Sequence, residues 1–285
     1  MSSKTARSNF AAAFRTGLLM AFLMGLFVVI GALIGGPDTA LTFLAIGAVM
    51  NFGAYWFSDK VALKMAGARP LESGEAPGLE RMVADLSSKA DLPTPRLFLI
   101  EQEQPNAFAT GRNPKHAAVA VTAGILQLLP EDQLRGVIAH ELAHIRNRDI
   151  LIQSVAATVG GAITYLGYML MWFGGDDESP LGLFGALALM ILAPIAASLI
   201  QLAISRQREY SADATGAEIS GSPESLAGAL ENLERGAEAL PMKVNESAEP
   251  LYIVKPFRSG AMSHLFSTHP PTAERVRRLR ELAAA

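Results

Sequence analysis

The sequence contains no cysteine, so disulfide bonds and thiolate metal sites are excluded. A metal ion held by side chains must therefore use histidine and carboxylate ligands. Charged residues are also scarce, at 18% of 285 residues, and the formal net charge is −3. Because phosphate backbones are attracted by an excess of lysine and arginine, nucleic acid is not an expected partner.

Charges are missing altogether from four long apolar stretches, residues 17–36, 39–57, 150–173 and 181–205. A helix of about 20 apolar residues crosses a bilayer core about 30 Å thick, so we predict four transmembrane helices. The first stretch exceeds the apolar part of a typical signal peptide and is interpreted as an uncleaved anchor. For the last two stretches, which carry small and polar residues, a pair of buried core helices is the alternative.

Lysine and arginine are distributed unevenly around these stretches. Neither occurs in the two short connections, residues 37–38 and 174–180, whereas both occur in residues 58–149 and 206–285, and they also precede the first stretch. Basic residues mark the cytoplasmic side of a membrane protein. Both termini and the segment between the two membrane hairpins are therefore predicted to be cytoplasmic.

The predicted organisation alternates membrane and cytoplasmic parts. Residues 1–57 and 150–205 form membrane hairpins, and residues 58–149 and 206–285 form two cytoplasmic segments. Because the second hairpin returns the chain to the same side, we expect the two segments to build one α+β domain with a small sheet. Within the last segment, residues 240–264 are predicted to be irregular.

Local patterns predict the elements of the first cytoplasmic segment. Apolar spacing indicates helices over residues 77–91 and from residue 131 onward. Residues 97–100 and 117–122 are predicted strands, and the second is a candidate for the edge of the sheet. Residues 105–111, between the strands, are rich in turn-forming residues.

Two of the five histidines lie four positions apart in the pentapeptide HELAH, residues 140–144. Helical residues at this spacing project from one face, so both imidazoles can reach one metal ion. Glu141 lies about 100° further round the helix. There it can take a proton from water beside the ion without ligating the ion itself. The pattern also arises by chance on helices, so a third ligand is the deciding feature.

Glu209 is the predicted third ligand. The extended motif with a third histidine is absent, because residue 150 is isoleucine, and a carboxylate must complete the set. His144 precedes the third apolar stretch by six residues and Glu209 follows the fourth by four, so a membrane hairpin brings them together. Asp213, one turn further, can accept a hydrogen bond from a ligating imidazole. A solvated ion pair with a neighbouring arginine is the alternative for Glu209.

Several motifs occur together and in order along the chain: Asn106-Ala-Phe-Ala-Thr-Gly111, His140-Glu-Leu-Ala-His144 with Asn147 and Asp149, Glu209-Tyr-Ser-Ala-Asp213, and Ser267-Thr-His-Pro-Pro271. They resemble those of the HtpX family of bacterial membrane zinc metalloproteases, which are relatives of the CaaX prenyl protease of eukaryotic membranes. The resemblance covers nearly the whole chain, including the four apolar stretches. Arg148 is a local difference, since the resemblance leads us to expect a small residue such as glycine there.

The resemblance implies one zinc ion per chain, with His140, His144 and Glu209 as ligands and Glu141 as the general base. It also implies a cytoplasm-facing active site in the bacterial inner membrane. The implied role is quality control of damaged membrane proteins, often under heat or envelope stress.

The resemblance further implies roles for three residues away from the ligands. His269 and Arg275 match a His-Pro…Arg element that faces the reacting carbonyl in related proteases, where it would stabilise the developing negative charge. Capping or packing is the alternative for His269. Asn106 and residues 117–122 fit a substrate-side role, because a peptide can bind as an added strand at a sheet edge, and plain sheet structure is the alternative.

The sequence thus predicts a mostly α-helical membrane protein with four transmembrane helices and a cytoplasmic zincin-like α+β protease domain. Its expected partners are protein or peptide substrates, above all unfolded membrane proteins, and the lipid bilayer. A non-proteolytic membrane chaperone or scaffold on the same fold is one alternative. A protease with its zinc inside the bilayer is another, although Arg135, Arg146 and Arg148 near the histidine pair are costly to bury in lipid.

Overall fold

The computed structural model describes residues 3–151, 153–155, 206–239 and 270–284. The predicted fourth span, nearly all of the third, residues 240–264 and His269 lie outside the described residues. The helices are α1 (Ser3–Met65), α2 (Pro77–Lys89), α3 (Ala123–Leu128), α4 (Glu131–Arg146), α5 (Arg206–Ser220), α6 (Pro223–Ala239) and α7 (Thr272–Ala283). The strands are β1 (Arg69–Pro70), β2 (Arg96–Ile100), β3 (Ala107–Gly111) and β4 (Ala117–Thr122).

Helix α1 reverses direction within its length. A straight helix rises about 1.5 Å per residue and would separate Met20 from Asn51 by about 46 Å. Instead, the Asn51 side chain donates a 3.0 Å hydrogen bond to the carbonyl oxygen of Met20. Gly36 lies between Met20 and Asn51 in the sequence. Its φ of 74° is a left-handed conformation that favours glycine. The two arms of α1 therefore run side by side, and the turn falls directly before Pro37-Asp38.

The second arm of α1 is the part best suited to a membrane. Residues Gly36–Met65 are long and apolar enough to cross one, and no other segment within the described ranges is. The described apolar part of the first arm, Met20–Val29, is shorter. Large apolar side chains of the second arm are exposed, as lipid contact requires: Leu41, Val49, Phe52, Trp56 and Phe57. The helix continues past residue 57 to Met65. Four spans stay a prediction.

The four strands form a mixed sheet in the order β1-β2-β4-β3. Strand β2 pairs with β4 in parallel, while the β1–β2 and β3–β4 pairs are antiparallel. The predicted strand over residues 117–122 is β4, but its predicted edge position is wrong, because β2 and β3 flank it. Strand β3 lies at the edge and was predicted as a turn-rich piece. All five of its residues are buried and mostly small, so no alternation of polar and apolar residues marks it.

Strand β4 is buried on both faces because its side chains alternate between two partners. Val119 and Val121 join the main core with α2 and α4, whereas Ala118 and Ala120 pack with Ala62 of α1 on the opposite face. Alanine on that face lets the end of α1 approach the sheet closely. The N-terminal hairpin is thereby attached directly to the sheet.

Helix α4 lies at the centre of the described helices, in contact with α2, α5, α6 and β3. Every residue from 136 to 145 is buried. Gly136 permits the close approach of α6, because a Cβ at this position would lie 2.5 Å from the backbone nitrogen of Leu226. Helix α7 packs on α5 and α6. The mostly helical fold with a small sheet is confirmed, and it surrounds the helix that carries HELAH.

Candidate metal centre and active site

Three side chains from two helices converge in the interior. His140 and His144 come from α4 and Glu209 from the first turn of α5, and one ligand atom from each lies within 4.8 Å of the others. The Nε2 atoms of the two imidazoles are 3.2 Å apart. The carboxylate of Glu209 lies 3.7 Å from Nε2 of His140 and 3.6 Å from Nε2 of His144. All three residues are at most 3% exposed.

The other ring nitrogens face carboxylates. Nδ1 of His144 lies 3.5 Å from Asp149. Nδ1 of His140 lies 3.0 Å from Oδ1 of Asp213, but the geometry of this contact is not that of a regular hydrogen bond. A carboxylate at Nδ1 favours the tautomer that keeps its proton there and leaves the Nε2 lone pair available. Both Nε2 atoms are therefore oriented as acceptors toward the same point, which suits a metal ion.

The end of α4 directs Asp149 back toward the site. The Asp149 N–H donates to the carbonyl of His144 and the Arg148 N–H to that of Ile145, a Schellman arrangement. Arg148 has a φ of 61°, in the left-handed region that glycine adopts most readily. This conformation explains why a small residue was expected at position 148. The motif residue Asp149 was not assigned a role from sequence, and its place beside His144 follows from this turn.

A buried ion pair supports the other histidine. Arg275 of α7, 1% exposed, donates two hydrogen bonds to Asp213, at 2.9 Å from Nε and 2.7 Å from Nη2. Burial alone would raise the pKa of Asp213, but the charge and hydrogen bonds of Arg275 hold it well below its usual range. Nη2 of Arg275 also lies 3.5 Å from Nε2 of His140. Helix α7 therefore contributes a fixed positive charge beside the metal-ligand set.

Glu141 is held by the edge of the sheet. Its Oε2 accepts a 2.8 Å hydrogen bond from the backbone N–H of Ala109 in β3. Burial raises the pKa of the Glu141 carboxyl, against the opposing influence of His140 and His144. A cation held by the neighbouring ligands would also oppose this shift. The contact with Ala109 was not foreseen from sequence, because it depends on which strand lies at the edge.

The charges of the site fit a divalent cation. Four carboxylates are buried around the two histidines, and two arginines are buried with them: Glu141, Asp149, Glu209 and Asp213, and Arg208 and Arg275. With neutral imidazoles this set carries two surplus negative charges in a medium of low dielectric constant. Although burial lowers the pKa of His144, the charge of Glu209 and the contact with Asp149 raise it to about 9. The pocket thus favours positive charge, and a metal ion would supply it.

The remaining predicted residues have mixed outcomes. The structure brings Asp213 and Arg275 into the site. Asn106 is buried directly before β3, and its backbone pairs with Thr122. His269 lies outside the described residues.

Comparison with known proteins assigns the chain to a family. The family model described as peptidase family M48 matches residues 73–283, which include every element of the site. The chain belongs to peptidase family M48. The peptidase is similar to proteins named Protease HtpX homolog. The one from Persephonella marina is 55% identical over 278 residues, covering 94% of this chain and 96% of the relative. The one from Burkholderia thailandensis is 49% identical over 274 residues, with the same coverage of both chains.

Among solved structures, the crystal structure of Ste24p from S. mikatae resembles the peptidase with a TM-score of 0.52 and 17% identity. The match covers 98% of this chain and 67% of that one, and it supports the fold. Together these findings establish a membrane-bound metalloprotease. They do not favour the non-proteolytic alternative.

Gly216 sets the distance between the two ligand helices of the peptidase. A Cβ at this position would lie 3.0 Å from Cα and N of His140, and both atoms are backbone and cannot rotate away. We expect Gly216→Ala to displace α5 by a few tenths of an ångström and to lower metal affinity several-fold, measured by competition with a chelating dye. The matched control is Gly228→Ala in α6, where the nearest atom is the flexible end of Gln133. Unchanged affinity in Gly216→Ala would contradict this role.

Proposed function

We propose that the peptidase is a zinc-dependent endopeptidase with His140, His144 and Glu209 as ligands and Glu141 as general base. The observation that carries the proposal is the convergence of two Nε2 atoms and one carboxylate in a buried, negatively charged pocket. Ligand atoms about 2.0–2.1 Å from a tetrahedral zinc ion lie about 3.3 Å apart. The 3.2 Å separation of the two Nε2 atoms supports zinc.

The chain's own residues account for the proton transfers. When bound, the metal ion polarises a carbonyl group and makes nearby water more acidic. Glu141 takes the proton of the attacking water and passes it to the leaving amine. Its hydrogen bond from Ala109 fixes one carboxylate oxygen and leaves the other to exchange the proton.

Other residues are proposed to orient these groups. Asp213 and Asp149 hold the imidazoles of His140 and His144 by contacts at Nδ1. Arg275 holds Asp213, and its two hydrogen bonds support a positioning role. Direct action of Arg275 or His269 on the reacting carbonyl stays a prediction. So does a substrate-side role for Asn106, for which its position at the start of the edge strand is the supporting feature.

We further propose that the substrates are unfolded or damaged membrane proteins, cleaved on the cytoplasmic side of the bacterial inner membrane in quality control. Lysine and arginine flank the predicted spans on one side only, which supports cytoplasmic termini and a cytoplasmic zincin-like domain built from residues 58–149 and 206–285. The hairpins of residues 1–57 and 150–205 would supply four spans. The exposed apolar surface of α1 supports membrane insertion of the first hairpin.

Metal removal tests the proposal. A chelator is expected to abolish cleavage of an unfolded protein by the detergent-purified chain, and zinc is expected to restore it, with about one ion bound per chain by metal analysis. Glu209→Gln should lose both the ion and the activity. The matched control is Glu218→Gln, an exposed residue on the same helix whose carboxylate pairs with Arg146. Full activity in chelator would rule the proposal out.

A further inference from the structure

Edge strand β3 leads away from the active site in a defined direction. Its residue Ala109 contacts Glu141, and the strand then continues through Thr110 and Gly111 to Arg112. An extended chain advances about 3.3 Å per residue, so Arg112 lies about 10 Å along the chain from the point that touches the general base. The surroundings of Arg112 therefore show what lies at that end of β3.

Arg112 stacks on the tryptophan that closes the apolar part of α1. Its guanidinium carbon is 4.5 Å from the ring centroid of Trp56, which is 41% exposed. The next residue along α1 is Phe57, and the Nζ atom of Lys60 lies 5.4 Å from the centroid of its ring. Exposed aromatic rings at the end of an apolar helix, covered by cations, are typical of the headgroup level of a bilayer. This places the Arg112 end of β3 at the membrane surface.

A second set of contacts gives the same orientation. The hydroxyl of Ser154 lies 2.6 Å from that of Thr110, and it accepts from the N–H of Gly111 at 3.4 Å. Ser154 belongs to the start of the predicted third membrane stretch. The next residue, Val155, packs with Ala54 of α1. Two membrane-directed helices thus meet at the same end of the edge strand, while the Ala107 end lies away from them.

The edge of β3 opposite β4 faces Glu141 and Ser154. Among the described residues no strand pairs with it on the side opposite β4. The N–H of Ala109 points away from β4, since it donates to Glu141. Because backbone groups alternate in direction along a strand, the N–H and C=O of Ala107 also point away from β4. The N–H of Gly111 is already held by Ser154. A substrate chain that follows the direction of β3 would run from the membrane surface toward Glu141.

We propose that the Arg112–Trp56 contact fixes the end of β3 at the phospholipid headgroups, so that the peptidase selects bonds at a short, set distance from a substrate's own membrane span. The inference rests on the proposed endopeptidase function and names its substrate class: juxtamembrane segments of membrane proteins. From the strand rise and the reach of the Arg112 side chain, the cut falls about three to six residues beyond the membrane border.

The test uses the full chain in vesicles of phosphatidylethanolamine and phosphatidylglycerol. Each substrate has a single membrane span followed by identical repeats of one cleavable sequence, so that only the distance from the membrane varies. Mass spectrometry of the products gives the position of each cut. We expect most cuts in the repeat closest to the membrane and several-fold fewer in each later repeat. Even cutting along the repeats would overturn the proposal.

Variants separate the contact from simple tethering of the substrate to the membrane. Arg112→Gln is expected to shift cuts toward the outer repeats. The substrate's own membrane span is the same in both assays, so its tethering to the membrane cannot cause the shift. The matched control is Arg278→Gln, since Arg278 also stacks on a ring, 3.8 Å from the centroid of Tyr210, but lies on α7. An unchanged cut profile in Arg112→Gln would exclude Arg112 from the selection.

A soluble form of the repeats separates failure of the distance selection from failure of the endopeptidase function. Wild type and Arg112→Gln should cut it at equal rates, which also shows that the variant is folded. If the soluble repeats are cut evenly and so are the membrane-bound ones, the distance selection fails while the endopeptidase stands. If neither form is cut, the endopeptidase function fails, and the distance selection fails with it.

Discussion

Glu141→Gln is expected to abolish proteolysis while leaving the metal ion bound. Glutamine has the same shape and can still accept the hydrogen bond from Ala109, but it cannot take up a proton. General acid–base catalysis contributes about 10²–10⁴-fold, so cleavage of an unfolded substrate should fall by about that factor. The ligands His140, His144 and Glu209 are untouched, and metal analysis should still find the ion.

Two comparisons make this result specific. Glu131→Gln changes the same residue type in the first turn of the same helix, at an exposed position, and is expected to keep full activity. Loss of the metal ion in Glu141→Gln would indicate that the residue supports binding rather than proton transfer. Near-normal cleavage with the metal present would remove Glu141 from the mechanism.

Arg275→Met is expected to destabilise the folded protein strongly. The substitution keeps an unbranched side chain but leaves the buried carboxylate of Asp213 without the guanidinium that compensates its charge. Breaking a buried pair by removing one partner costs about 3–5 kcal/mol. The measurement is denaturant unfolding of the detergent-purified chain. Metal affinity should also fall, by about 10–100-fold, because Asp213 is the neighbour of His140.

A double variant and a surface control isolate the cause. Adding Asp213→Asn to Arg275→Met removes the uncompensated charge, so part of the lost stability should return. Arg277→Met removes an exposed arginine of the same helix, and surface pairs of this kind contribute about 0–1 kcal/mol. If Arg275→Met were no more destabilising than Arg277→Met, the buried pair would not be a structural support.

Some features follow from the sequence because the information is local. His140 and His144 are four positions apart on a helix, and this spacing puts both rings on one face whatever surrounds them. Pro130 with Glu131 and Asp132 marks the start of α4, the helix predicted from residue 131 onward. Glu209 was inferred from a longer-range argument, the return of a membrane hairpin. The structure does bring Glu209 to the histidine pair.

Other features depend on strand order, which no local pattern encodes. Residues 107–111 are mostly small and all buried, so they resemble a turn-rich loop in sequence yet form the edge strand among the described residues. The neighbouring strand β4 carries the expected alternation but lies inside the sheet. The predicted edge position of residues 117–122 is therefore wrong, and the hydrogen bond from Ala109 to Glu141 could not be foreseen.

Three features that bear on the chemistry of the protein can be read directly from its residues: the absence of cysteine, the histidine pair with its glutamate, and the apolar stretches that predict a membrane. These depend on residue type and spacing along the chain. The groups that support this chemistry are visible only once the chain is folded, such as Arg275 against Asp213, Gly216 against His140 and Arg112 against Trp56. Each of these contacts joins residues more than fifty positions apart, and their proximity results from helix packing and strand order rather than from any periodicity in the chain.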